Sequence, residues 1–268
     1  MKLNLIAAAV LALVAVAPAH ADINPGSASP GNGELFLSIW DTMGTASDAD
    51  DRSYSRDLGI AMNSFATGPN TGPVNVVPQP EYKGASAFVA DATLATFLSS
   101  ANTANLFWNV VGVESFGRDR IVTTASQSFA GTALNSGNVI TSVGFVQTYL
   151  VQVNDKMPGT AVTDNLSATY VKADGGFAGD SSFGGNFGGG LAGFNNVGAI
   201  GDELAFWTLQ QGQLDSDPTQ QLATGNLWSL ASNGTLTYAA PVPEADTYAL
   251  MLAGLGLVGF LARRRKAV

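Results

Sequence analysis

The plainest pattern in the chain is an alternation over residues 34–40, which puts Leu35, Leu37 and Ile39 on one side of an extended strand and Phe36 and Trp40 on the other. A strand is expected there, with residues 54–61 as its antiparallel partner and residues 41–52, carrying Asp48, Asp50 and Asp51, as a polar loop between them. Ahead of it, residues 22–32 are rich in Pro, Gly, Ser and Asn and read as an exposed leader. Residues 68–80 hold four prolines and two glycines, which exclude a regular helix or a central strand.

The period then changes. Leu94, Phe97 and Leu98 recur at helical spacing behind Asp91, a good N-cap, so a short helix is expected over residues 91–100. Residues 106–114 and 120–125 read as a hairpin turning at Gly117, Arg118 and Asp119. Residues 139–153 are rich in β-branched side chains, yet Ile140, Val143, Val146, Leu150 and Val153 follow the helical period, and a helix is the favoured reading. The glycine-phenylalanine tract at 175–193 is too poor in side chains to build a core and reads as a flexible loop. Residues 203–210 form another strand candidate, and residues 226–230 and 236–239 flank Asn233-Gly234, the strongest short-range hairpin signal. Many short strands with one or two short helices point to a mainly β fold, a β-sandwich or jelly-roll-like single domain, plus a C-terminal transmembrane helix.

Both ends carry address rather than fold. Residues 1–21 begin with Lys2, run apolar from Leu5 to Ala17, break at Pro18 and finish Ala19-His20-Ala21, the small-x-small ending that signal peptidase reads. Cleavage after Ala21 leaves a β-rich exported body over residues 22–240. Residues 248–262 are free of charge and are followed by Arg263, Arg264, Arg265 and Lys266. A helix over about 247–262 rises about 1.5 Å per residue and can just cross a bilayer, with the basic cluster on the cytoplasmic side.

Val242-Pro243-Glu244, a polar spacer, the short apolar helix and the basic cluster, in that order, resemble the sorting tail of PEP-CTERM proteins over residues 241–268. The resemblance implies a Gram-negative, exopolysaccharide-making setting. There an exosortase-type membrane enzyme processes the tail near the Pro-Glu, through an inner-membrane intermediate on the way to the cell surface or extracellular matrix. Ala245 stands where the family has a second proline, which bears on where processing falls. The body resembles uncharacterised proteins that carry this tail, a likeness that implies no activity.

Composition narrows the chemistry of the body. Counting through Glu244, 20 acidic residues face seven basic ones outside the two ends, about −13, which repels phosphate backbones and argues against nucleic-acid binding. The chain has no cysteine, and its single histidine, His20, lies in the leader to be removed, so disulfides, thiol chemistry and histidine chemistry are excluded from the mature body. Two stretches, Gly188 to Gly193 and Gly254 to Gly259, match a dinucleotide-binding pattern by letter. Neither lies between a strand and a helix, and no nucleotide or other cofactor is assigned.

Asp48, Asp50 and Asp51 could offer oxygen to calcium, but they lack the glycine and distal Glu of a helix-loop-helix site, so a solvated loop is favoured; Asp174, Asp180, Asp215 and Asp217 are alike. Glu34, Glu81, Glu114 and Glu203 keep a carboxylate glycosidase in view, although neighbouring Asp202 and Glu203 would point to opposite faces. Trp40, Trp108, Trp207 and Trp228 each sit in an expected strand, where core is the favoured place; an exposed one could stack on a sugar ring. The reading that results is a non-enzymatic surface or matrix protein without catalytic or metal residues, with a polysaccharide-binding module as the alternative.

Overall fold

The computed structural model describes residues 23–28, 32–45, 49–62, 86–126, 135–156, 167–171, 196–212, 214, 220–239 and 255. Within these residues the strands, in chain order, are β1 (Glu34–Asp41), β2 (Arg52–Ala61), β3 (Ser86–Phe88), β4 (Leu106–Glu114), β5 (Arg120–Ala125), β6 (Ser167–Val171), β7 (Gly198–Ala199), β8 (Glu203–Gln210), β9 (Gln220–Leu230) and β10 (Leu236–Ala239). Two α-helices, α1 (Ala92–Ser99) and α2 (Ser136–Lys156), and a 3-10 turn at Thr103–Asn105 complete them. Every described pairing is antiparallel, in the order β3-β10-β9-β8-β5-β4-β1-β2-β6, with β7 paired to β4.

The mainly β expectation holds, but the sandwich or jelly roll does not, because these strands form one sheet rather than two. The alternation in β1 shows why. Leu35, Leu37 and Ile39 enter one buried cluster and Phe36 and Trp40 the other, so both faces of the central strands need cover. A sandwich strand would show a polar outer face. On one side the sheet curls around a core that gathers Tyr54 and Leu58 of β2 together with Trp228, Leu236 and Tyr238 of β9 and β10. Strand twist favours such curling, and register shifts at Leu35/Phe36 and at Ala205/Trp207 sharpen it. On the other side α2 lies across the sheet, burying Val139, Val143, Val146, Tyr149, Leu150 and Val153. At 21 residues α2 is not a short helix, and packing of this apolar stripe outweighs the low helix propensity of its β-branched residues.

The helix α1 closes the curl. Asp91 caps it, accepting from the Leu94 N–H at 2.7 Å, and Leu94 and Phe97 turn into the core. Across the gap between the ends of the sheet, Arg56 of β2 donates to the Val89 carbonyl just past β3 at 2.7 Å, and Tyr54 donates to Asp91 at 2.7 Å. Among the described residues, side chains thus bridge a gap that the backbone ladder does not cross.

Three further expectations change. The leader is not exposed throughout: Ile23 is fully buried, and Asn154 of α2 both donates to its carbonyl and accepts from its N–H, each at 3.0 Å. Gln147 of α2 also donates to the Pro25 carbonyl at 3.0 Å. Gly33 sits so close to β4 that a Cβ there would lie 2.0 Å from the Val113 oxygen. Asp41 and Arg52 belong to strands rather than to the loop, with Asp41 buried and its carboxylate 3.3 Å from the Arg52 guanidinium. Trp207 is half-buried, whereas Trp40, Trp108 and Trp228 are buried as expected. The Asn233-Gly234 hairpin forms, with Gly234 at φ +81 and its N–H on the Ala231 carbonyl at 2.9 Å. The expected loops at 68–80 and 175–193 and the expected tail helix lie outside the described residues, Leu255 apart. No helix of the described residues is long and apolar enough to cross a membrane.

Candidate functional site

Beside α1 the sheet runs on to β6, and the space between them is a groove of about 530 Å³. It is lined by Arg52, Thr93, Thr96, Phe97, Ser100, Thr169 and Val171, together with Ala92. The groove follows from the fold: α1 spends its apolar face, Leu94 and Phe97, on the core, and its hydroxyl-bearing side is left toward β6. Arg52 is fixed at the base by Ser100 Oγ at 2.7 Å, Asp41 at 3.3 Å and the Phe97 ring, 4.9 Å from its guanidinium carbon. With Asp41 beside it, the guanidinium is already compensated, and the lining is hydroxyl-rich and nearly neutral. No single residue of this lining carries a sequence motif; helical spacing of Thr93, Thr96 and Ser100 is the one signal that could have grouped them.

The acidic candidates serve the fold where they are described. Glu114 holds Arg120 at 2.9 Å and accepts the Asn32 N–H at 2.7 Å, with both charged side chains buried. Glu34 accepts the Asn24 N–H at 2.8 Å, Asp50 takes the Thr45 hydroxyl at 2.9 Å, and Asp202 accepts the Ala199 N–H at 2.8 Å. Asp51 is buried and Glu203 exposed. Asp48, Glu81, Asp174, Asp180, Asp215 and Asp217 lie outside the described residues. Among the described residues no group of three or more acidic or histidine side chains gathers where it could hold a metal.

The tryptophans give no row of exposed rings among the described residues. Trp228 packs at 4.7 Å from Tyr238 and edge-on to Phe206 at 5.6 Å, Trp108 donates to the Ala199 carbonyl at 2.8 Å, and Trp40 stacks on Phe107 across the β1–β4 pair at 6.2 Å. Sequence reasoning missed a polar joint at the mouth of the enclosure. There Tyr54, Arg56 and Asp91 meet, the Arg56 and Asp91 side chains 4.0 Å apart. Burial raises the Tyr54 pKa well above the ordinary phenol value, and the neighbouring Asp91 carboxylate raises it further, outweighing Arg56.

The sorting residues Val242, Pro243 and Glu244 and the cluster Arg263, Arg264, Arg265 and Lys266 lie outside the described residues. Tyr238 is fully buried and Ala239 is the last residue of β10, a strand that pairs with β9 on one side and β3 on the other. Residues 241–266 match the PEP-CTERM protein-sorting motif. That motif indicates a protein exported and sorted to the cell surface or extracellular space, with processing by exosortase, a membrane enzyme. No curated protein and no solved structure matches the chain.

Proposed function

We propose that this protein is a non-enzymatic component of the cell surface or extracellular matrix, delivered through its leader and released from an inner-membrane intermediate when exosortase removes the tail near Pro243-Glu244. The observation that carries the reading is the sorting motif at residues 241–266, which begins two residues after Ala239, the end of the last strand among the described residues. A fold without cysteine, held by burial on both faces of its sheet, suits a compartment outside the cell whatever its redox state. The test is fractionation and intact-mass analysis of the full chain in a host with and without exosortase. Loss of the tail only with exosortase supports the reading; a full-length tail in both hosts makes this a plain anchored ectodomain.

A second reading, binding of exopolysaccharide, is favoured by one feature, the hydroxyl-lined groove between α1 and β6. Hydroxyls of Thr93, Thr96, Ser100 and Thr169 suit a sugar's hydrogen-bonding groups, while Trp40, Trp108 and Trp228 are buried and offer no stacking platform. Binding to the host's polysaccharide that Thr96→Val with Thr169→Val weakens would support this reading, and equal retention of both proteins would remove it.

A further inference from the structure

The charge of the groove between α1 and β6 is set by the register of the sheet. Asp41, Arg52 and Val171 stand in one row across β1, β2 and β6, Asp41 opposite Arg52 and Arg52 opposite Val171, so the three side chains share a face. Asp41 lies on the far side of Arg52 from the groove, and its side chain is only 1% exposed, out of reach of anything the groove holds. Both of its carboxylate oxygens are taken, Oδ1 by the Met43 N–H at 2.9 Å and Oδ2 by the Arg52 guanidinium at 3.3 Å. Arg52, with its side chain 22% exposed, is the one charged residue of the described lining, and it meets a ligand with its charge already answered.

The hydroxyls lean the same way. Thr96 spends its proton on the Ala92 carbonyl at 2.8 Å and Ser100 on the Phe97 carbonyl at 3.2 Å, while Arg52 donates to the Ser100 Oγ at 2.7 Å. Thr96 therefore offers the groove lone pairs and no proton. Thr93 and Thr169 add hydroxyls that can give or accept. A carboxylate has no proton to give, so it meets repulsion at Thr96 and a guanidinium that Asp41 already holds. A polyol brings its own protons to those lone pairs, and its C–H edges can rest on Ala92 and on Val171, a partly exposed apolar side chain. The groove, about 530 Å³, falls within the range of about 300 to 1,000 Å³ typical of ligand clefts. The acidic excess of the body repels polyanions in the same sense.

We propose that this groove binds an uncharged sugar residue, and that Asp41, by holding the Arg52 guanidinium, is the positioning residue that makes it refuse the corresponding sugar acid. This rests on the reading of the groove as a glycan site and gives that site its ligand class. Asp41 does not touch the sugar, and its charge reaches the groove only through Arg52. Asp41→Asn removes that charge while keeping the shape of the side chain. It leaves an unbalanced guanidinium beside the hydroxyls, the arrangement that recognises a carboxylate. A neutral ligand gains little from the change, because it has no charge to pair.

The experiment titrates the isotope-labelled full chain, in a sugar-free detergent, and follows the amide resonances of Thr93, Thr96 and Thr169. The probes are maltotriose, cellotriose and laminaritriose, each beside the same trisaccharide with its primary alcohols oxidised to carboxylates. At least one neutral trisaccharide should shift these amides, with its oxidised partner bound about tenfold more weakly. In Asp41→Asn of native melting temperature the oxidised partner should gain about tenfold, while the neutral one stays within about twofold. An oxidised trisaccharide that binds the unaltered groove as tightly as its neutral partner would overturn the proposal and leave the glycan reading standing. Shifts from neither series would overturn both. A folded Asp41→Asn protein that still refuses the acid would overturn the role of Asp41. The comparison in the unaltered chain needs no variant, so it decides the ligand class even where Asp41→Asn fails to fold.

Discussion

The two faces of the sheet solve the same burial problem with different materials. The enclosed face is filled by rings and aliphatic chains, with Trp108, Trp228, Phe206 and Tyr238 among its largest buried residues. The face under α2 carries, besides its apolar residues, a buried polar row: Ser38 lies opposite Ser55 in one register and Asn109 in the other, and Tyr149 of α2 reaches down to the Ser55 hydroxyl. An aromatic core can be completed by any element of suitable size, as α1 shows with only Leu94 and Phe97 fully engaged. A hydroxyl that must land on a serine row has one position along the helix, so the polar row fixes where α2 sits at little gain in stability.

That contrast can be broken most forcefully on the enclosed face. Trp228→Ala removes the ring that touches Tyr238, Phe206 and Phe88, and should cost about 4 kcal/mol in urea unfolding, a large share of a domain's net stability. A loss as small as that of a surface substitution would show that the sheet is not wrapped around this core. The joint that closes the curl comes next: Asp91→Ala deletes both the cap of α1 and the acceptor of the Tyr54 hydroxyl, and should cost about 2 kcal/mol. Asp91→Asn, which keeps capping, should recover about half of it.

On the helix face, Tyr149→Phe should cost about 1 kcal/mol, because it strands the serine hydroxyls without opening a cavity. Its sharper readout is heterogeneity, with broadened amide resonances along α2 and none on β9 or β10. Smallest is a pH effect shared by the faces. Burial raises the pKa of both Tyr54 and Tyr149 above the ordinary value, so above about pH 10 the unfolded chain releases protons that the folded chain keeps. Stability should be level below that pH and fall as pH rises beyond it. The fall should weaken in Tyr149→Phe, and an alkaline limb of the same slope in that variant would show that Tyr149 contributes nothing to it.

Much of this was legible along the chain. Hairpins with short turns and strong signals, 106–125 and 226–239, lie where the alternation and Asn233-Gly234 put them, because their pairing is decided by neighbours in sequence. The helical period of Val139 to Val153 likewise outlasted its β-branched composition. What escaped were β3, β6 and β7, two to five residues each, which are strands only because a partner far along the chain supplies their ladder: β6 pairs with β2 and β3 with β10. The groove escaped for the same reason, since Thr96 and Thr169 share it only after the sheet has curled.

By itself the sequence determined the address and the local elements. A sorting tail and a run of hairpins are recognised by local order of residue types, and no distant contact can alter that order. The tertiary structure alone decided that both faces of one sheet are covered and that Ile23 is locked to α2 rather than trailing free. These depend on which surfaces meet, and burial is a property of pairs of surfaces, which a linear pattern can propose from either side but cannot match.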